Sequence, residues 1–438
     1  MNSNYLSAQP YKGARDFYPE EMRLRNYIFS TWKKACERFG FEEYDFPVLE
    51  NLEVFASKSG EEIVNTQLFS FEDKGGRSVA IRPELTPSTV RMIAARYPEL
   101  QKPIKWFMIG NNWRFEKPQK GRGREFYQLE ANIFGVPEVS ADLEIFSLII
   151  TIMQEFKADE SMYRIYFSDR RIITALLNDY LKLSDDQQLT ARRLMDKRKK
   201  VSAEEFEEML TEAGITQAAA RDIEAFMNTT FESLDKVIPT NILQQNEGYA
   251  NLKALTVALT KRDLIKYCEF DPAIIRGFDY SDGLVYEVFD KNPENKRSMF
   301  GGERFDRLIN IYGKFDLAAT GFAMGDITLG EFLKGWNLLP ELVTKTKVLV
   351  TQFPGGSTEL TEYAYEVASK LRATGVNTDL YPAPDKLDKQ LKYADKKGIP
   401  YAVIAGEEEQ KNQTVMLKDL RTKEQKAISL EEIAKVIS

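Results

Sequence analysis

The sequence predicts an α+β protein in two parts: an antiparallel-sheet domain that carries a helical insertion, then a smaller C-terminal α/β domain. Three stretches carry that expectation. Gly110 to Gly135, GNNWRFEKPQKGRGREFYQLEANIFG, reads as strand, basic loop and strand, because the apolar run Ile104 to Ile109 leads into it and Tyr127 to Phe134 alternates. Gln128, Glu130 and Asn132 then share one face of the second strand, and Leu129, Ala131 and Ile133 the other. From Ile172 to about Leu234 the chain reads almost wholly helical, and after Lys347 strands alternate with helices as in a small parallel-type α/β unit. The expected division is 1–333 for the first domain with its insertion at 170–260, a linker at 334–346 holding Pro340, and 347–438 for the second domain.

At 438 residues the length suits about three domains, and a net charge of −7 argues against indiscriminate nucleic-acid binding. No apolar run nears the roughly 20 residues of a membrane span, and Met1 to Tyr5 lack the charged and apolar regions of a signal peptide, so no membrane partner is expected and the expected location is cytoplasmic. Cys36 and Cys268 are too few for a disulfide framework or a thiolate zinc site and read as small core residues. Histidine is absent altogether. That excludes an imidazole general base, a Ser-His-Asp triad and imidazole metal ligands, so catalysis must use carboxylates, arginines, hydroxyls or a bound cation.

Taken in order, Pro10 to Pro19 is a loop, and a helix starts at Pro19 with Glu20 and Glu21 at its positive end, Phe29, Trp32, Cys36 and Phe39 at helical spacing, and Gly40 as its stop. Phe41 to Leu49 reads as a strand, and Asp73 to Gly76 as a hairpin turn. In Arg82-Pro-Glu84-Leu-Thr86-Pro, Thr86 suits an N-cap, which puts Glu84 just before a helix in a proline-fixed loop, a place for a carboxylate that meets an ammonium group. The basic loop holds Lys117, Lys120, Arg122 and Arg124, with Arg114 and Glu116 at its entrance; guanidinium forks there suit phosphate, and a solvated hairpin is the plainer alternative. Strand parity puts Arg124, Phe126, Gln128, Glu130 and Asn132 on one face. Asp142 to Glu155 is a helix and Tyr163 to Phe167 a strand. Within the insertion, Ser202 and Glu205 have capping-box spacing, and Arg192, Arg193 and Lys197 to Lys200 form either a solvated helix face or a contact for a phosphate backbone. Leu284 to Phe289 alternates as a strand, and Thr320 to Leu333 runs from a glycine-bearing strand into a helix.

These segments resemble, in order, the signature motifs of class II aminoacyl-tRNA synthetases in the form found in histidyl-tRNA synthetases. Lys12-Gly-Ala-Arg-Asp16 resembles the family's opening, and Arg82 to Pro87 its substrate loop. Arg114-Phe-Glu116 through Arg124-Glu-Phe126-Tyr-Gln128 resembles the second class II motif, Arg276-Gly-Phe-Asp-Tyr280 the family's own signature, and Thr320 to Leu333 the third motif. The resemblance implies ATP-dependent activation of L-histidine and its transfer to tRNA(His). It also implies a class II antiparallel-sheet catalytic domain, an insertion that leans on the tRNA acceptor stem, a C-terminal anticodon-binding domain and a homodimer.

By the same resemblance Arg114 and Arg276 are catalytic cations at the α-phosphate, and Arg114, Glu116, Arg122 and Phe126 hold ATP. Histidine is bound by Glu84, Thr86, Arg114, Gln128, Glu130, Asn132, Arg276, Tyr280 and Ser281, while Mg2+ bridges the outer phosphates with no protein ligand assigned. Three departures stand out: Asn132 where a carboxylate is usual, Ser281 where a second tyrosine is usual, and Thr328 where the third motif carries an arginine. They leave open a non-catalytic paralogue that resembles the regulatory subunit of ATP phosphoribosyltransferase. A chain without histidine also draws no charged tRNA(His) for its own translation.

Overall fold

The computed structural model describes residues 6–56, 66–275, 283–295, 297–383 and 385–437. The chain forms two compact units, the first ending at Leu339 and the second holding Pro340 onward together with Pro19–Leu24. Helix α1 (Pro19–Arg38), which belongs to the first unit from Arg25 on, forms as its sequence dictates, with Pro19 at the first position, Glu20 and Glu21 in the first turn, and Ile28, Trp32, Ala35 and Cys36 buried. Gly40 ends it at φ +74°, a left-handed turn that a side chain would oppose. The single strand expected from Phe41 to Leu49 is instead two short pieces, β1 (Glu42–Glu43) and β2 (Leu49–Asn51). Pro47 has no amide hydrogen, and the Phe46 carbonyl accepts from the buried Arg82 guanidinium at 2.9 Å, so the chain between them is withdrawn from strand pairing.

After α2 (Leu52–Ala56), strands β3 (Phe69–Glu72) and β4 (Ser78–Ile81) make the expected hairpin and join β2 in a small antiparallel sheet. Asp73 sets the turn by accepting from the Gly75 and Arg77 amides at 2.8 and 3.0 Å. Helix α3 (Thr86–Arg96) leads to β5 (Ile104–Trp113) and β6 (Glu125–Phe134), which pair in register over their full length. Helix α4 (Val139–Glu155) packs Ile145, Phe146, Ile149 and Met153 fully out of solvent, and β7 (Tyr163–Asp169) follows.

The stretch expected to be helical holds α5 (Arg170–Thr174), a π-helical turn, α6 (Asp185–Met195), α7 (Ala203–Glu212), α8 (Gln217–Met227), α9 (Thr240–Gln245) and α10 (Glu247–Thr260). Ser202 caps α7 by accepting from the Glu205 amide, but the full reciprocal capping box forms at Ser184 and Gln187. In the basic cluster, Arg198 is ion-paired with Glu224 and Lys199 with Asp271, while Arg193, Lys197 and Lys200 remain exposed.

Strands β8 (Cys268–Phe270), β9 (Leu284–Asp290), β10 (Ser298–Arg304) and β11 (Ala319–Gly325) complete an eight-stranded sheet ordered β1-β5-β6-β11-β10-β9-β7-β8, antiparallel except at its two edge pairs. Helix α11 (Asp326–Gly335) leaves β11 directly. Arg304 on β10 and Asp142 on α4, 4% and 3% exposed, form a buried ion pair.

The second unit runs β12 (Val348–Val350), α12 (Thr358–Ala373), β13 (Thr378–Leu380), α13 (Leu387–Lys397), β14 (Tyr401–Ile404), α14 (Glu407–Asn412), β15 (Thr414–Asp419), β16 (Gln425–Ser429) and α15 (Leu430–Ile437). Its sheet, ordered β13-β12-β14-β15-β16, is parallel only across its first three strands, and β15 and β16 close it as an antiparallel hairpin. β16 escapes a sequence reading because it is a polar edge strand, paired on one side, with Ile428 its one buried side chain. Among the described residues no helix is long and apolar enough to cross a membrane.

Candidate active site

The strands β6, β11, β10 and β9 floor a cleft of about 760 Å³. Seven of the residues singled out from sequence line it: Thr86, Arg114, Glu116, Arg122, Phe126, Gln128 and Asn132. Strand parity explains the last three, since alternate residues of β6 stand on the same face of the sheet. Arg114 follows β5, donates from Nε to the Pro83 carbonyl at 2.9 Å, and lies 5.2 Å from the centre of the Phe126 ring. Among the described residues no protein acceptor takes its terminal nitrogens, so a planar cation held at one end faces an aromatic platform. At the mouth, Glu116 and Arg122 are ion-paired at 3.0 Å across the basic loop.

Other expectations land elsewhere. Arg124 does not line the cleft: its Nε donates to the Glu116 carbonyl, its Nη1 to the Tyr11 hydroxyl, and its backbone amide to the Gly13 carbonyl. It fastens the N-terminal loop to the hairpin. Thr86 is the first residue of α3 rather than its N-cap, which is Leu85, with no side chain capping the helix. Its hydroxyl is turned toward the Glu130 carboxylate instead. Arg276, Tyr280 and Ser281 lie outside the described residues.

Glu84 and Glu130 are 4% and 1% exposed and sit behind the cleft wall. Glu130 accepts from Asn132 Nδ2 at 2.7 Å, and its Oε2 has no hydrogen-bond partner among the described residues. Burial pushes its carboxyl up to about 7, the nearby Glu84 charge adds to this, and Asn132 with the Thr86 and Thr89 hydroxyls pulls the other way. An acid whose pKa is raised on folding holds its proton more tightly in the folded state. Its contribution to stability is therefore full below about pH 4.5 and is lost as the pH rises toward about 7. Glu130→Gln is thus expected to stabilise the protein at about pH 8 by ~3 kcal/mol, falling to about half of that near pH 5.5. Denaturant midpoints of both proteins across that range check the sign, and a gain that grows toward acid would sink it.

Sequence reasoning missed Tyr286, whose buried hydroxyl donates to the Gly321 carbonyl at 2.8 Å over strands already marked by their glycines. A Cβ on Gly302 would fall on that hydroxyl and on the Gly321 carbonyl, and a Cβ on Gly321 would fall on Asn132 Oδ1. The alternation of Leu284, Tyr286 and Val288 is the signal that could have found Tyr286. Thr328 lines the cleft too, but its hydroxyl donates to the Met299 carbonyl at 2.7 Å. Asp326 before it is ion-paired with Arg15 and accepts from the Tyr127 amide at 2.9 Å, pinning the start of α11 to β6. The cations on the cleft lining are Arg114 and Arg122, among the described residues.

An antiparallel sheet floored in this way, with an arginine and an aromatic ring facing each other across its central hairpin, is the architecture of a class II aminoacyl-tRNA synthetase. The family model for histidyl-tRNA synthetase matches residues 13–327, and that for an anticodon binding domain matches 347–438. The histidine–tRNA ligase of Leptospira biflexa is 39% identical over 433 residues, covering 99% of this chain and 98% of its own. That of Opitutus terrae is 36% identical, covering 98% of each. The crystal structure of histidyl-tRNA synthetase from a Nostoc species superposes with a TM-score of 0.83 over 99% of both chains; at 23% identity it speaks for the fold alone. The chain belongs to the histidyl-tRNA synthetase family.

Proposed function

We infer that this chain is a histidine–tRNA ligase, activating L-histidine with ATP and passing it to the 3′ end of tRNA(His). The observation that carries the reading of the site is the shared cleft, which Arg114, Phe126, Gln128 and Asn132 line together. In the first step a carboxylate oxygen of histidine attacks the α-phosphorus of ATP, the bond from that phosphorus to the bridging oxygen breaks, and pyrophosphate leaves. In the second a hydroxyl of the terminal ribose attacks the carbonyl of the adenylate, and AMP leaves. Neither step needs a protein imidazole, because phosphoryl transfer is chiefly positioning and charge neutralisation.

In this reading Arg114 neutralises the α-phosphate and the incoming carboxylate, with Phe126 stacking on adenine and the Glu116–Arg122 pair holding the nucleotide at the mouth. Thr86 and Gln128 receive the α-ammonium group, and Glu84, behind the wall, adds negative charge to that end of the cleft. Arg276 as a second cation, and Tyr280 and Ser281 at the imidazole, remain assignments by resemblance. No group of three ligating side chains occurs among the described residues. A nucleotide-borne ion needs only one or two carboxylates beside the phosphates, and Glu287 and Glu303 on the cleft wall fit that mode. Magnesium so bound would draw charge from the outer phosphates.

For tRNA, residues 347–438 would read the anticodon, and Arg193, Lys197 and Lys200 on the insertion would meet phosphate. Exposed Leu49 and Phe71 on the small sheet, with exposed Val48 just before it, support a homodimer. A cytoplasmic location belongs to the same reading. Because the ligase relatives span the C-terminal unit as well, a non-catalytic paralogue is not favoured. Histidine-dependent exchange of pyrophosphate into ATP tests the proposal. Exchange is expected with histidine and not with proline or threonine, and a folded protein with none would overturn it.

A further inference from the structure

We propose that Glu130 is a positioning residue for imidazole recognition: its buried carboxylate turns the Asn132 amide so that Oδ1 faces the cleft as an acceptor for a ring N–H. The inference rests on the histidine-ligase reading and adds a role that the motif resemblance does not supply. Asn132 lines the cleft, whereas Glu130 does not.

An asparagine side chain can present either its oxygen or its NH2 group, and the surroundings decide which. Here the choice is forced by chemistry. The 2.7 Å contact joins Asn132 to a carboxylate oxygen, which accepts hydrogen bonds and cannot donate when ionised, so Nδ2 must point at Glu130. Turning the amide round would set two oxygens against each other behind the cleft wall. The Oδ1 atom consequently lies on the other side, over Gly321, in the space that a side chain there would fill. Gly321 is the direct strand partner of Asn132 and lines the same cleft. The Gly321 carbonyl is occupied by the Tyr286 hydroxyl, so it does not compete for a ligand's donor. No protein donor reaches Oδ1 among the described residues.

What the cleft floor offers at this point is a neutral acceptor backed by a buried negative charge. Neutral imidazole carries one N–H and one bare nitrogen. An acceptor of fixed orientation selects a ring that has such a donor against rings of the same shape that lack it, because an unpaired acceptor in a dry site is costly.

The test compares full-length wild-type protein with Glu130→Gln at about pH 8, in pyrophosphate exchange, with 2-thiazolylalanine as a competing ligand whose ring has no N–H. The carboxamide that this substitution introduces can donate to Asn132 Oδ1, which frees the Asn132 amide to turn. The variant is expected to raise KM for histidine by about tenfold, with KM for ATP and the inhibition constant of 2-thiazolylalanine unchanged within about twofold. An unchanged KM for histidine in the variant would overturn the proposal alone. Equal weakening of histidine and thiazolylalanine would do so too, since it would mark a merely structural role. Absence of histidine-dependent exchange in the wild type would overturn both the proposal and the functional reading beneath it.

Discussion

Arg114→Ala is expected to lower histidine-dependent pyrophosphate exchange by about a thousandfold, or ~4 kcal/mol of transition-state stabilisation. Charge on the α-phosphate and the attacking carboxylate is at its most crowded during transfer, and this guanidinium is the inner of the two cations on the cleft lining. Its Nε is tied to the Pro83 carbonyl and its plane sits by Phe126, so it is positioned before any ligand arrives. Preorganisation of that kind is what a mobile surface cation lacks. Arg114→Lys keeps the charge but neither the fork nor the Pro83 tether, and should recover only a small part of the loss. Exchange rates, with a thermal unfolding curve to show that the fold persists, check this; a loss of less than tenfold would remove Arg114 from the chemistry.

Asp142→Ala is expected to destabilise the first unit by about 3–5 kcal/mol. Arg304 would then keep its charge inside the protein with the Glu138 carbonyl at 2.9 Å, a longer contact to Val136 and, as its remaining carboxylate, the partly exposed Asp306 at 3.8 Å. Burial pushes the Asp142 carboxyl up against the downward pull of Arg304. For Asp142 in the intact pair desolvation outweighs the attraction, and removing one partner discards the attraction while leaving a cost of desolvation behind. The same reasoning says that Asp142→Ala with Arg304→Met should be markedly more stable than Asp142→Ala alone. Urea midpoints of the two variants decide the matter, and a double variant weaker than the single one would show that the pair is a net stabiliser.

Much of the cleft was readable because it lies on one hairpin. Alternation along β6 determines that Phe126, Gln128, Glu130 and Asn132 leave the sheet on one side, and the glycines and charges between β5 and β6 mark a loop that must be solvated. Local signals also carried α1, the Asp73 turn and the helices of the insertion. They failed where a distant partner took over a group. Arg82 removes the Phe46 carbonyl from strand pairing, the Glu130 carboxylate draws the Thr86 hydroxyl away from capping, and the Gly13 carbonyl and Tyr11 hydroxyl claim Arg124. Tyr286 and Gly321 gain their importance only because β9, β10 and β11 lie side by side, although they are far apart in sequence.

By itself the sequence determined which chemistry is possible: no imidazole, arginines around a glycine loop, and polar side chains on a known side of a strand. Only the tertiary structure decided which of those side chains meet a ligand. Period-2 parity assigns a residue to a face of the sheet, but what lies over that face depends on elements remote in the chain. The start of α3 comes over Glu130, bringing Thr86 and Thr89 against it, and leaves Asn132, two residues further on the same face, open to the cleft. One carboxylate is thereby turned from a contact into a support, and its burial raises the proton affinity that the sequence alone could not have foretold.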